Sequence, residues 1–371
     1  MIIGVPKEIK VHEYRVGMIP ASVVEAVAHG HKVYVETLAG QGIGFSDQDY
    51  IDAGALILPS AAAIFAEADM IVKVKEPQAI ERAMLREGQT LFTYLHLAPD
   101  PEQTHDLINS KAICIAYETV TDDKGRLPLL APMSEVAGRM SIQAGALALE
   151  KSHGGKGFLL AGVPGVEPAK VVILGGGVVG ANAAQMAIGL RANVVILDRN
   201  LDVLRQLDQQ FSGQVQCIYS TKESVEKHVL DADLVVGCVL VAGAAAPKLV
   251  TADMIKKMQP GSAIVDVAID QGGCVETSHP TTHNDPTYLV DDVVHYCVAN
   301  MPGAVAKTST FALNNATLPY ILKLANMGYK KALQHDKHLL NGLSVYRGKV
   351  TCESVSTALD LPYYPADKAI N

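Results

Sequence analysis

The chain has 371 residues and a formal net charge of −8, with 49% hydrophobic and 19% charged residues. That length supports two domains with sizeable cores, and that composition excludes a disordered chain. Net acidity without a basic run argues against nucleic acid as a partner, and no stretch of about 18 uninterrupted apolar residues is present to span a membrane.

Residues 1–5 form a short apolar strand ended by Pro6, followed by a charge-dense loop to Pro20. The opening Met-Ile-Ile-Gly-Val-Pro-Lys-Glu has no basic or long apolar signal segment, so a cytoplasmic protein is expected. Ser22 is placed to cap a helix over 23–29, stopped by Gly30. Strands are expected at 32–36, 56–58, 70–74, 90–95 and 112–117. Helices are expected at 47–53, 60–68, 77–85 and 101–110. Such βα alternation predicts a parallel, doubly wound sheet. The segment 127–133 carries Pro128 and Pro132 and reads as a crossing between domains. Ser134 then caps a long helix over 135–151.

The stretch from Lys170 to Asp198 has the strongest signal. Val171 to Leu174 is an apolar run suited to a strand buried on both faces. Gly175, Gly177 and Gly180 then give G-x-G-x-x-G. A helix is expected over 181–190 and a second buried strand over 194–197, with Asp198 at its end. Strand, glycines, helix, strand and acid arrive in the order that binds a dinucleotide. The first glycine allows the tight turn, the second lets backbone approach a pyrophosphate, and the third lets helix and strand pack closely. The N–H groups of Val178 and Val179 would point at the phosphates. Asp198 would accept from the adenosine ribose hydroxyls, which favours NAD over a 2′-phosphorylated cofactor. The next residue, Arg199, could hold such a phosphate or lie solvated or against adenine.

Beyond it, helices are expected at 201–211, 222–229 and 251–258, and strands at 214–219, 234–238, 263–266, 288–289 and 294–298, completing a second α/β domain. Residues 300–304 read as the return crossing, and helices over 309–327 and 330–341 are assigned back to the first domain. The six cysteines, Cys114, Cys217, Cys238, Cys274, Cys297 and Cys352, lack C-x-x-C spacing, so reduced thiols are expected rather than zinc.

A nicotinamide enzyme needs a substrate anchor and a proton-transfer group. Arg15 and Lys75 follow first-domain strands, and either could hold a carboxylate or be a solvated surface residue. His96 ends a strand, where open α/β sheets bind ligands, and suits proton transfer near neutral pH; a structural histidine in a turn fits equally. Asp270 closes an apolar run before a glycine pair. It could reach a domain cleft or form a turn, while Asp266, inside the strand, reads as structural.

The pattern Gly4-Val5-Pro6-Lys7-Glu8, Glu13-Tyr14-Arg15-Val16 and Pro20, together with Leu174-Gly175-Gly176-Gly177-Val178-Val179-Gly180, resembles the two signatures of the alanine dehydrogenase and NAD-binding transhydrogenase subunit family. The resemblance covers essentially the whole chain. It implies two doubly wound Rossmann-like domains: a split substrate domain, 1–130 plus 307–371, around an inserted NAD-binding domain, 131–306. It further implies that Arg15 and Lys75 bind the substrate carboxylate, with His96 and Asp270 as the catalytic pair. Ser134, Asp198, Ser220, Val239, Leu240, Val267, Ala268, Ile269, Asp270, Val298, Ala299, Asn300 and Met301 would line the NAD site. Lys323 and Met327 stand where some relatives carry metal ligands, so no metal is expected. The implied reaction is reversible: L-alanine, NAD⁺ and water give pyruvate, ammonium and NADH. The implied assembly is a homohexamer.

Three rivals remain at this stage. A transhydrogenase subunit would bind NAD beside a membrane partner and has no use for His96 with Arg15 and Lys75. A saccharopine-type dehydrogenase would take a bulkier substrate. A non-enzymatic NAD-binding regulator would need none of the residues at 15, 75, 96 and 270.

Overall fold

The computed structural model describes residues 1–239 and 246–370. The chain divides into two compact units, Met1–Met133 with Val305–Asn371, and Ser134–Ala304. Its strands in chain order are β1 (Ile2–Val5), β2 (Lys32–Glu36), β3 (Leu56–Leu58), β4 (Met70–Val72), β5 (Thr90–Thr93), β6 (Ile113–Ala116), β7 (Lys170–Leu174), β8 (Asn193–Asp198), β9 (Val215–Tyr219), β10 (Leu234–Gly237), β11 (Ala263–Asp266), β12 (Thr287–Val290), β13 (Val293–Tyr296), β14 (Leu343–Tyr346) and β15 (Lys349–Val350).

In the first unit the sheet order is β15-β14-β6-β5-β4-β1-β2-β3. Strands β1 to β6 run parallel, while β14 pairs antiparallel with β6 and β15 with β14. Strands β4, β5 and β6 are buried along their whole length in the middle of the parallel sheet, β4 and β6 as uninterrupted apolar runs and β5 with a threonine at each end. Strand β2, nearer the edge, alternates. Ile64, Phe65, Leu91, Leu95, Leu107 and Val345 form one core against this sheet.

In the second unit the order is β12-β13-β11-β10-β7-β8-β9, parallel except for β12. Strand β7 shows how both faces are covered. Val171 and Ile173 enter one core, and Val172 and Leu174 enter the other. In each unit the parallel part follows the doubly wound order, reversing direction between β1 and β4 and between β7 and β10. Those switch points are where such sheets open a crevice at their carboxyl ends.

Several local expectations shift. The first helix spans Pro20–Ala28 with Ile19 as its N-cap, because proline is well suited to the first helical turn. Ser22 is therefore buried within the helix and donates to Asn314 Oδ1. For the same reason Pro132 opens the long helix Ala131–Ala148, so Ser134 lies inside that helix and does not cap it. The helix expected over 77–85 contracts to Ala79–Arg82. Strands β14 and β15 leave no mark in the sequence, since four- and two-residue strands after a helical run carry little periodicity.

Candidate active site

Arg15, Lys75 and His96 lie beyond the carboxyl ends of β1, β4 and β5, which are neighbours in the sheet. Sheet order therefore gathers on one edge three residues that are 60 and 21 positions apart in sequence.

Arg15 is buried and gripped by Glu13. Its Nε donates to Glu13 Oε1 at 2.7 Å, its Nη2 to Oε2 at 2.5 Å and its backbone N–H to Oε1 at 3.0 Å. Nη1 donates to Met133 Sδ at 2.9 Å. Burial opposes the guanidinium charge, but the hydrogen bonds and charge of Glu13 outweigh it and raise the pKa above the ordinary value. The two-point fork fixes the plane of the guanidinium.

The loop after β1 is fastened to the segment after β4 by a second ionic cluster. Lys73 is fully buried and donates to Glu8 at 3.1 Å and Glu81 at 2.7 Å. Glu8 also accepts from the backbone N–H of Val74 at 2.7 Å and of Lys75 at 3.4 Å. Burial raises the Glu8 pKa, with Lys73 working against it. For Lys73, burial is overcome by the two carboxylates, and its pKa rises. Lys75 itself is mostly buried, its Nζ 3.7 Å from Glu76 Oε2. Its carbonyl accepts from Thr93 Oγ1 at 3.0 Å, which joins it to the strand leading to His96.

His96 adopts a left-handed conformation with φ +49°. Its backbone N–H donates to Glu118 Oε1 at 2.6 Å, and the Leu95 N–H donates to the same carboxylate. The imidazole stacks on Tyr94 with ring centroids 5.8 Å apart, and its Nδ1 lies 3.9 Å from Glu118 Oε1. The side chain remains 46% exposed, so it can meet a substrate. A cavity of 360 Å³ in this unit is bounded by residues of the 7–15 loop, including Arg15, and of the 38–42 loop. Neither Lys75 nor His96 lines it.

In the second unit, Gly175 turns the chain with φ +100°. A Cβ on Gly180 would lie 1.9 Å from the Gly175 carbonyl oxygen, which explains the need for glycine there. A Cβ on Gly176 would meet Leu207 at 2.7 Å and Val203 at 2.9 Å, a requirement the three-glycine pattern passed over. A Cβ on Gly177 would touch nothing within 4 Å, so the protein's own packing does not demand a glycine there. Helix Val178–Gly189 follows, its first hydrogen bond running from Ala181 to Gly177 at 2.9 Å. The N–H groups of Val178 and Val179 thus have no helical acceptor and are available to an anion.

Asp198 ends β8. Its Oδ2 accepts the Gly176 N–H at 2.7 Å and its Oδ1 the Asn200 N–H at 2.7 Å. Each oxygen keeps a lone pair for a further donor. This donor and acceptor set fits a dinucleotide: amides for phosphate, a glycine with open space beside it, and a carboxylate for ribose. Arg199 is exposed. The Ser220 N–H donates to the Asp198 carbonyl at 2.9 Å, and Val239 follows β10 beside Gly175. Leu240 lies outside the described residues.

Strand β11 ends at Asp266, and Val267–Gln271 is a tight 3-10 turn, so Asp270 sits one turn beyond the strand and is exposed. Ala268 and Ile269 are buried, which leaves mainly backbone for a ligand. Asp266 is buried and accepts from the N–H groups of Cys274 and Val275, a structural role. Residues 298–301 follow β13; Val298 and Met301 are buried, and Asn300 has φ +62°. Residues 175–180, 198, 220, 239, 267–270 and 298–301 therefore all end or follow strands on the carboxyl edge of one sheet. Ser134 is separate, within the long helix.

Sequence models of the alanine dehydrogenase/PNT N-terminal and C-terminal domains match residues 4–137 and 141–353. The chain belongs to the alanine dehydrogenase/PNT family. An alanine dehydrogenase of Halomonas elongata is 57% identical over 370 residues, covering all of both chains. A solved L-alanine dehydrogenase superposes with a TM-score of 0.94 at 53% identity, covering 97% of this chain and 99% of that one. A transhydrogenase from Sinorhizobium meliloti shares the fold, with a TM-score of 0.80 at 24% identity over 95% of this chain and 99% of that one.

The glycine loop with Asp198, and Arg15, Lys75, His96 and Asp270 after their strands, are the candidate positions that the sequence marks. Glu13, Glu8, Lys73 and Glu118 were missed as their supports. Glu8 and Glu13 are marked only by the density of charge between residues 7 and 15, Glu118 only by its place just after a strand, and Lys73 by nothing. Among the described residues, no three His, Cys, Asp or Glu side chains form a metal-binding set, and no helix is long and apolar enough to cross a membrane.

Proposed function

We propose that this amino-acid dehydrogenase catalyses the reversible, NAD-dependent oxidative deamination of L-alanine to pyruvate and ammonium, in the cytoplasm. The observation that carries the reading is the gathering of Arg15, Lys75 and His96 beyond three adjacent strands, in a chain similar to alanine dehydrogenases along its full length. Gly175 to Gly180, Val178, Val179 and Asp198 would hold NAD, with residues 220, 239, 267–270 and 298–301 as further contacts. NAD, when bound, supplies the two-electron acceptor.

Arg15, held flat by Glu13, takes the substrate carboxylate, and Lys75 adds a second positive charge to it. Oxidation at the alanine Cα leaves an imine. His96, backed by Glu118, removes a proton from the water that attacks this imine. Asp270 assists the second transfer, to the departing nitrogen, so that ammonia leaves and the ketone of pyruvate forms. Imine hydrolysis needs at least two proton transfers, and a histidine with a carboxylate can keep one group basic while the other donates.

The test is NADH oxidation dependent on pyruvate plus ammonium. His96→Ala and Asp270→Asn should each lower it by roughly 10²–10⁴-fold, the usual contribution of a positioned acid–base group, while NADH still binds. A protein that binds NADH but turns over no keto acid with ammonium is a binding module or a transhydrogenase-type subunit. One that requires lysine or glutamate in place of ammonium is a saccharopine-type enzyme.

A further inference from the structure

One carboxylate outside the catalytic set faces two ammonium groups. Glu76 Oε1 pairs with Lys10, which arrives from the loop after β1. Its Oε2 lies 3.7 Å from Nζ of Lys75 and is buried without accepting a hydrogen bond. The Glu76 side chain is 14% exposed and Lys10 38% exposed. Burial pushes the Glu76 pKa up, but Lys75 first, and then Lys10, bring it below the ordinary value, so the carboxylate is charged. At 3.7 Å the Lys75 ammonium is attracted to Glu76 but keeps its donors for another acceptor.

We propose that Glu76 is a positioning residue, the resident counter-ion that orients Lys75, and that Lys10 regulates how strongly it does so. This rests on the reading of Lys75 as an anchor for the substrate carboxylate. With Lys10 occupying one oxygen, Glu76 aligns Lys75 without capturing it. Substrate carboxylate and Glu76 then share one ammonium, and Lys10 offsets the repulsion between the two anions. Removing the Glu76 charge leaves Lys75 unaligned. Removing Lys10 turns Glu76 into an undivided competitor for Lys75.

The experiment uses the full chain and compares Glu76→Gln, Lys10→Met and the double variant in steady-state pyruvate kinetics with saturating NADH and ammonium. Each single variant should raise the KM for pyruvate by about tenfold, the order expected when one charged partner leaves a part-buried site, with kcat within about threefold. NADH affinity, read by fluorescence titration, should be unchanged. The decisive reading is the double variant. Once the Glu76 charge is gone, Lys10 has nothing to regulate, so the double variant should match Glu76→Gln rather than combine both losses. Additive losses, an unchanged KM, or equal damage to kcat and NADH binding would overturn the proposal. Lys10 lies at the surface, so Lys10→Met provides the KM test even if Glu76→Gln folds poorly. If the unmodified protein has no pyruvate reaction, the proposed function fails. If the unmodified protein is active and these variants match it, only the role of Glu76 fails.

Discussion

At the carboxyl edge of the first sheet, Glu8, Glu13, Arg15, Lys73 and Glu81 are all buried charges. At the same edge of the second sheet, Gly175, Gly176, Gly177 and Gly180 shape the chain, and the charges of the candidate site are the partly exposed Asp198 and the exposed Asp270. Both edges have the same strand order and the same switch-point position. Under the proposed function the first would grip a small anion from several directions, which calls for rigid cations, and each buried cation needs a carboxylate beside it. The second would admit a long ligand against backbone, where side chains are removed and amides and a helix terminus take over. An ionic site fails when one partner is lost. A glycine site fails when an atom is added.

The largest effect should come from breaking the ionic side. Lys73→Met would strand Glu8 and Glu81 without their cation, and should destabilise the protein by about 3–5 kcal/mol near neutral pH. The loss should shrink at pH 5, where the stranded carboxylates can take up protons. Thermal melts of both proteins at the two pH values measure this. An equal loss at both would mean that Lys73 contributes packing and not charge.

Adding an atom on the glycine side should separate two kinds of glycine. Gly180→Ala drives a Cβ toward the Gly175 carbonyl oxygen and should cost about 1–3 kcal/mol of stability, as overpacking does. Gly177→Ala meets no protein atom, so its melting temperature should hardly move while NADH binding weakens. If Gly177→Ala bound NADH normally, backbone approach at that glycine would not be part of cofactor recognition.

The smallest effect is a pH dependence within the second unit. His295 is fully buried, with Nδ1 at 3.0 Å from the Val293 carbonyl and Nε2 at 2.7 Å from Thr277 Oγ1, partners that suit the neutral ring. Burial lowers its pKa below the ordinary value of about 6.5. The unfolded chain therefore takes up a proton first, and stability should be full above about pH 6.5 and fall as the pH drops below it. His295→Gln should flatten that slope in melts between pH 5 and 7. A slope unchanged by the substitution would assign it to other groups.

The same contrast decides what could be read without coordinates. The glycine site is local: strand, turn, helix and acid lie within 29 residues, from Lys170 to Asp198, and each leaves a compositional mark. Strand alternation and buried apolar runs likewise made both doubly wound sheets legible, because hydrophobic periodicity is written along the chain. The ionic site is not local. Glu8 reaches Lys73, Lys10 reaches Glu76, and Arg15 reaches Met133, across separations that no pattern spans. A glutamate in a charge-dense loop looks solvated until the fold buries it. The helices start at Pro20 and Ala131, not after Ser22 and Ser134, because proline's fit at the first turn outweighs serine's preference for the cap. The antiparallel edge strands β14 and β15 were decided by the open side of β6, which is a property of the assembled sheet and not of residues 343–350. The sequence alone therefore determined the alternation of strand and helix and the glycine loop, whose signals are local. Tertiary structure alone decided which charges are buried together, because burial and pairing arise only when distant segments meet.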